Sequence, residues 1–192
     1  MFVTGLVLAA GKSSRLGQPK QLLPYRGTTL LDATLQLARW CRFDQLLVTV
    51  GGASQEVQDV IDFTGAEVVV NQEFATGCSS SISAAVNVVD PRSTGIVLML
   101  GDQPGVTPAA VHRLTAGAAS SPLGICHYAD GRGHPLWFHR DVFDDLGTLH
   151  GDKAVWKLLE SGRYDVADVE IEGPIPLDVD TWDDYNALLA RG

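Results

Sequence analysis

Apolar and polar positions fall in blocks along this chain, and the spacing within the blocks changes from strand-like to helical and back. Val3–Ala9, Gln45–Val50 and Gly95–Leu100 are largely apolar runs of strand length, as expected of strands buried on both faces. Glu67–Val70 is a shorter β-branched run. Helical spacing fills the gaps between them. Thr29–Trp40 gathers Leu30, Leu31, Leu35 and Leu37 into an apolar share, with Thr28 or Thr29 as N-cap. Ser54 is placed to cap a short helix reaching Asp62, and Asn71–Gly77 reads as loop. Ser79–Val89 predicts a helix opened by three serines, one of them its cap, and Pro108–Gly117 a helix with Pro108 near its first position. From Leu123 to Phe138 the pattern becomes two strands around Asp130-Gly131-Arg132-Gly133, a hairpin-like insert. Helical segments near Asp141–Leu146 and Asp152–Glu160, a strand at Val166–Ile171 and a closing helix at Thr181–Leu189 complete the reading.

This alternation predicts an α/β fold, a single doubly wound and mostly parallel sheet of Rossmann-like type with a small β insert near 123–138. No repeat or linker interrupts it, so residues 1–192 are expected to form one domain. In such open sheets ligands sit beyond the carboxyl ends of the strands. Gly11, Gly51, Asn71 and Asp102 all fall at such ends, so they can converge although distant in sequence.

Composition narrows the function. The chain has 192 residues, 45% of them hydrophobic, and a formal net charge of −9. That charge argues against a nucleic-acid partner, which calls for a basic excess. The most basic stretch is Lys12 to Arg26 and the acidic residues concentrate between Asp165 and Asp184, so a small anion at one basic pocket fits better. No apolar run approaches the ~20 residues of a membrane span, and the N-terminus enters a strand directly, without a leader pattern. Cys41, Cys78 and Cys126 are widely spaced and form no C-x-x-C pair, so neither a zinc site nor a disulfide framework is expected and the expected setting is the reducing cytoplasm.

The chemistry begins at the end of the first strand. Leu6 to Lys20 reads L-V-L-A-A-G-K-S-S-R-L-G-Q-P-K, a strand entering a tight glycine turn flanked by Arg15 and Lys20. Backbone N–H groups of such a turn can surround an anion that the two cations neutralise. It is not a P-loop, because five residues rather than four separate Gly5 from Gly11. The dinucleotide fingerprint is also absent, with Ala9 and Ser13 where glycines would be needed. The bland alternative is a solvated β-to-α turn. In Leu98-Met99-Leu100-Gly101-Asp102-Gln103-Pro104 a carboxylate stands at the tip of an apolar strand, either as a magnesium ligand or as a turn aspartate. Asp178 and Asp180 share one face of an extended segment and could supply a second ligand, while Asp180 or Thr181 could instead cap the closing helix. Ser79, Ser80 and Ser81 at a helix start suit a phosphate or ribose as well as a cap.

L-A-A-G-K-S-S-R-L-G-x-x-K-x-L-L-P resembles the N-terminal signature of the molybdenum cofactor cytidylyltransferase-like (MobA/MocA-type) nucleotidyltransferases. The words G-D-Q-P, G-C-S-S-S against the family's G-M-S-S-S, and D-V-D-T-W-D-D-Y are similar to further motifs of that family. Ala10, where the guanylyltransferase relative has glycine, lies on the cytidine side. The resemblance implies transfer of CMP from CTP to the phosphate of molybdopterin, with release of pyrophosphate and Mg2+ as cofactor. It implies a nucleotide site of Leu8, Ala9, Ala10, Gly11, Arg15, Lys20, Ser79, Ser80, Ser81 and Gly101. Within it Arg15, Lys20 and Asp102 would be catalytic, and Asp102 and Asp180 would hold the metal. An acceptor side of Gly133, His134, Pro135 and Asp152 is implied, and a recipient molybdoenzyme or its chaperone as partner. After Asp152 the family's G-A-R tail is replaced by Lys153-Ala154-Val155-Trp156-Lys157, where Lys153 or Lys157 offers a substitute cation. Two other readings stand beside this one: a related nucleotidyltransferase using GTP or another small phosphate acceptor, and a non-catalytic nucleotide-binding module.

Overall fold

The computed structural model describes residues 1–51, 54–151 and 153–191. In chain order it contains β1 (Val3–Ala9), the two-residue pair β2 (Pro24–Tyr25) and β3 (Thr28–Thr29), α1 (Leu30–Trp40), β4 (Gln45–Val50), α2 (Ser54–Val60), β5 (Glu67–Val70) and α3 (Cys78–Val86). There follow β6 (Gly95–Leu100), α4 (Pro108–Ala118), β7 (Leu123–Tyr128), β8 (Gly131–His139), α5 (Phe143–Gly147), α6 (Ala154–Glu160), β9 (Val166–Glu170) and α7 (Trp182–Ala190).

Seven strands form one sheet in the order β5-β4-β1-β6-β8-β7-β9. All run parallel except β8, which is antiparallel to both β6 and β7. The chain winds from β1 outward to β4 and β5, then returns over α3 to lay β6 on the other side of β1. The carboxyl ends of β1 and β6 are therefore the point where the winding reverses, the place where open α/β sheets receive ligands.

The apolar runs are continuous because successive residues face opposite layers. Leu6, Leu47, Leu98 and Leu136 pack toward α3, α5 and α6. Their neighbours Val7, Val48, Met99 and Trp137 pack toward α1, α2 and α4. The expected hairpin insert is realised as β7 and β8, which do not stand apart but extend the main sheet. A third, smaller core joins the two ends of the chain. Leu16, Leu23, Tyr25 and Leu30 from the N-terminal region close on Val179, Tyr185 and Leu188, and the Tyr185 hydroxyl donates to the Pro24 carbonyl at 2.5 Å.

The caps sort the alternatives left by the sequence. Thr29 caps α1, its Oγ1 accepting from the Asp32 N–H at 3.1 Å. Thr181, not Asp180, caps α7, and Asp184 reaches back to the Thr181 N–H in a reciprocal capping box. The expected serine cap of α3 is corrected: the helix starts at Cys78, its N-cap is Gly77 at φ 118°, and no side chain caps it. It also ends at Val86 rather than Val89. The Ser54 side chain and Asp152 lie outside the described residues.

Thr181→Ala should cost about 1 kcal/mol of stability through the lost cap, read as a lowered denaturant midpoint. An unchanged midpoint would show that the third core alone holds the C-terminal segment.

Candidate functional site

A cleft of about 590 Å³ opens at the carboxyl ends of β1 and β6. Its floor is Leu8 to Gly11 and Leu100 to Asp102; one wall is the turn from Lys12 to Arg15 with Lys20 and Gln21. The opposite wall is Phe74 to Cys78 with Ser81, and Asp178 and Asp180 close the end. Small residues are required where backbones meet. A Cβ on Gly101 would stand 2.9 Å from the Leu8 carbonyl oxygen, and one on Gly51 would stand 2.6 Å from that of Ala10. A side chain at either place would force the adjoining backbones apart.

The cationic turn is held from below. Ser13 adopts a left-handed conformation at φ 51°, its carbonyl accepts from the Leu16 N–H at 3.0 Å, and its Oγ accepts from the Lys20 N–H at 2.9 Å. Leu16 is buried in the third core. Gln21, only 5% exposed, donates from Nε2 to the Ala9 carbonyl at 2.6 Å and, more weakly, to that of Gly11 at 3.4 Å. Two carbonyls of the turn thus face inward.

Lys20 stands at the electrostatic centre. Its Nζ donates to Asp102 Oδ2 at 2.5 Å, to Asp180 Oδ1 at 2.8 Å and to the Val179 carbonyl at 2.9 Å. Burial opposes the ammonium charge, but the Asp102 carboxylate, seconded by Asp180, holds its pKa above the ordinary lysine value. Burial raises the Asp102 carboxyl above the usual carboxylate range, offset in part by Lys20. Arg15 approaches Asp180 at 3.6 Å and remains largely exposed. Lys12 lies over the Phe74 ring at 6.0 Å.

The carboxylates also bear on a metal. Asp102 Oδ2 and Asp180 Oδ1 converge on a single cationic atom, and Asp178 is near enough to disfavour a second negative charge on Asp102. Hard oxygen donors aimed at one point suit a divalent ion that takes one or two carboxylates and completes its shell with phosphate oxygens and water. No group of three or more His, Cys, Asp or Glu in ligand-like array occurs among the described residues, so two carboxylates are the set on offer and the remaining positions fall to the ligand.

Other expected site residues are less central. Ser81 lines the cleft, but Ser79 and Ser80 do not. Asn71 Nδ2 donates to the hydroxyls of Ser80 and Ser81 at 2.8 and 2.9 Å, and Ser80 donates on to the Gly77 carbonyl at 2.8 Å. These hydroxyls therefore brace the loop from Asn71 to Ser81. Gly133, His134 and Pro135 do not line the cleft; Leu98 pairs with Leu136, which puts them beside the carboxyl end of β6. The His134 ring packs edge-on against Trp156 with centroids 5.8 Å apart. Lys157 lines a separate hollow with Leu149, His150 and Arg163, not the main cleft.

Gln21 and Gln103 were not singled out by the sequence. Gln103 donates to the Pro176 carbonyl at 3.0 Å and so ties the extended segment leading to Asp178 onto the Asp102 turn. Each follows a charged residue of the cluster directly in sequence, Lys20 in one case and Asp102 in the other. That adjacency was the available signal.

Comparison with known proteins gives the family and the fold. The family model described as "MobA-like NTP transferase domain" matches residues 5–167. Rv0371c from Mycobacterium tuberculosis H37Rv, solved in complex with manganese, superposes with a TM-score of 0.92 at 50% identity, covering 100% of each chain. Nicotine blue oxidoreductase of Paenarthrobacter nicotinovorans is 33% identical over 144 residues, 70% of this chain and 69% of the relative. Molybdenum cofactor cytidylyltransferase of Escherichia coli K12 is 27% identical over 184 residues, 94% of this chain and 92% of the relative.

Two expectations follow. Gln21→Leu releases the turn carbonyls, and nucleotide KM should rise about tenfold, worth ~1.4 kcal/mol, with kcat little changed. An unaltered KM would mean that the turn holds its shape unaided. Burial lowers the His134 imidazole from 6.5 to about 4, so the folded protein keeps it neutral. A depressed imidazole supports the fold fully above its unfolded value and loses that support as pH falls toward the folded one. Thermal melts of His134→Phe should show a shallower loss of stability than wild type between pH 6.5 and about 4, whereas parallel curves would show that His134 carries none of it.

Proposed function

The chain belongs to the MobA-like NTP transferase family, and on that premise we propose that it transfers CMP from CTP to the terminal phosphate of molybdopterin, releasing pyrophosphate. The observation that carries this reading is the single cationic atom, Lys20 Nζ, held between Asp102 and Asp180 beside the Gly11 turn. An oxygen of the acceptor phosphate attacks the α-phosphorus, the α–β bridging bond breaks, and its electron pair leaves on pyrophosphate. Such chemistry rests on positioning and charge neutralisation rather than covalent help.

The turn from Gly11 to Arg15 takes the β- and γ-phosphates, its N–H groups and the Arg15 guanidinium offsetting their charge. Lys20 stabilises charge gathering at the α-phosphate. Asp102 and Asp180 would hold Mg2+, and the chemistry such an ion would supply there is neutralisation of phosphate charge. The manganese complex of Rv0371c supports a divalent ion. No general base is required, because the attacking phosphate is already ionised, and His134 stands outside the cleft. Ala10 and the G-D-Q-P word support cytidine. Reading residues 1–192 as one catalytic domain agrees with the third core, which packs both ends of the chain together. A cytoplasmic site of action fits the expected reducing setting, and no described helix is long and apolar enough to cross a membrane.

A second reading, a related nucleotidyltransferase with GTP or another small phosphate acceptor, is favoured by the missing G-A-R tail after Asp152. Incubation with molybdopterin, Mg2+ and each of the four NTPs separates the readings by product mass. CTP alone should give the cytosine dinucleotide. A product from GTP alone would reassign the base, and nucleotide binding without pyrophosphate release on a wide acceptor panel would make the chain a non-catalytic module.

A further inference from the structure

We propose that Lys20 is the resting counter-cation of the Asp102–Asp180 pair, and that its ammonium leaves this position when a divalent cation enters together with the nucleotide. The inference rests on the metal-dependent nucleotide reading above and goes beyond it in assigning Lys20 two positions.

The argument is a count of donors. A protonated lysine has three N–H groups. Here all three are committed inside the protein, to Asp102 Oδ2, Asp180 Oδ1 and the Val179 carbonyl. The side chains of Lys20 and Asp102 are only 16% and 12% exposed, so water has little access to this contact. An ammonium in this state has nothing left to offer a phosphate. To touch one it must surrender a partner, and surrendering Asp102 without replacement would strand a buried carboxylate. A second cation arriving at the carboxylates removes that obstacle.

Mobility is confined to the head group. The Lys20 backbone is pinned by Ser13 Oγ, and Gln21 beside it is buried and bonded to the Ala9 carbonyl. The flexible four-carbon stem of lysine is the part free to swing. Charge balance runs the same way. Asp102, Asp178 and Asp180 line the cleft with Lys12, Arg15 and Lys20, and Lys20 is the cation bonded to both Asp102 and Asp180. While it stays, a free divalent ion must compete with it for the same oxygens. Nucleotide phosphates, by accepting the displaced ammonium, make that competition easier. Metal and nucleotide are then coupled, each tightening the other.

The test uses Mn2+ alone, followed by its electron paramagnetic resonance signal, on the full chain without nucleotide. Lys20→Met keeps the stem and removes the charge; Lys20→Gln serves if the first variant melts early. The variant should bind Mn2+ at least about tenfold more tightly than wild type, and adding Asp102→Asn to it should abolish the gain. Wild type should bind CTP with Mn2+ present. If wild type binds CTP with Mn2+ and the Lys20 variants bind Mn2+ no more tightly than wild type, the exchange is overturned and the nucleotide reading survives. If wild type binds no CTP with Mn2+ under any condition, the nucleotide reading fails and takes the exchange with it.

Discussion

One buried ammonium links three regions of the chain that sequence keeps far apart. Lys20 lies 82 residues from Asp102 and 160 from Asp180, yet all three meet within hydrogen-bond distance. Such a contact is a constraint as much as a source of stability. Taking charges out of water is costly, and the attraction repays that cost only when the geometry is good and the remaining donors are satisfied. Here the Val179 carbonyl takes the third donor, so the ammonium is complete. Removing the ammonium leaves the Asp102 carboxylate buried and unmatched, a loss commonly worth about 3–5 kcal/mol.

The rest of the structure reads as the means of keeping that meeting in place. The reversal of winding at β1 and β6 sets Ala9 and Gly101 side by side, with the Gly101 N–H donating to the Leu8 carbonyl at 2.9 Å. Asp180 belongs to neither the sheet nor a helix; the third core docks its segment on the N-terminal turn, the Gln103–Pro176 bond ties the same segment to the Asp102 turn, and the Asp180 N–H donates to Asp184. Thr181 completes the arrangement. By taking the capping role for α7 with Asp184, it leaves the Asp180 carboxylate unused by the helix and directed to Lys20 and Arg15.

β1, β4 and β6 were legible because burial on both faces leaves an apolar run, and the caps of α1 and α7 were legible to within one residue because a cap is a local matter of a few residues. The serine start of α3 misled for a physical reason. Gly77 at φ 118° turns the chain into the helix without a side-chain cap, and the Asn71 carboxamide engages two of the hydroxyls. The cationic turn and the two distant aspartates were recognisable as residues, but not their mutual saturation, since nothing local tells a lysine whether its partner is a ligand or a carboxylate of its own chain. Gln21 was hidden further, because a glutamine in a polar turn looks solvated until the Ala9 carbonyl is found above it.

The same architecture bears on why acceptor choice is the least determined property. The residues proposed to handle polyphosphate charge lie on the β1 and β6 ends or on the segments docked there. Gly133, His134 and Pro135 lie instead on β8, outside the lining of the cleft. Lys157 stands in a different hollow from Lys20. On the proposed reading, a change there would alter what is presented to the α-phosphorus without disturbing how the nucleotide is held. A family built this way can keep one phosphate-handling centre and vary its second substrate. Relatives named for different chemistry, at 33% and 27% identity, are what that separation allows.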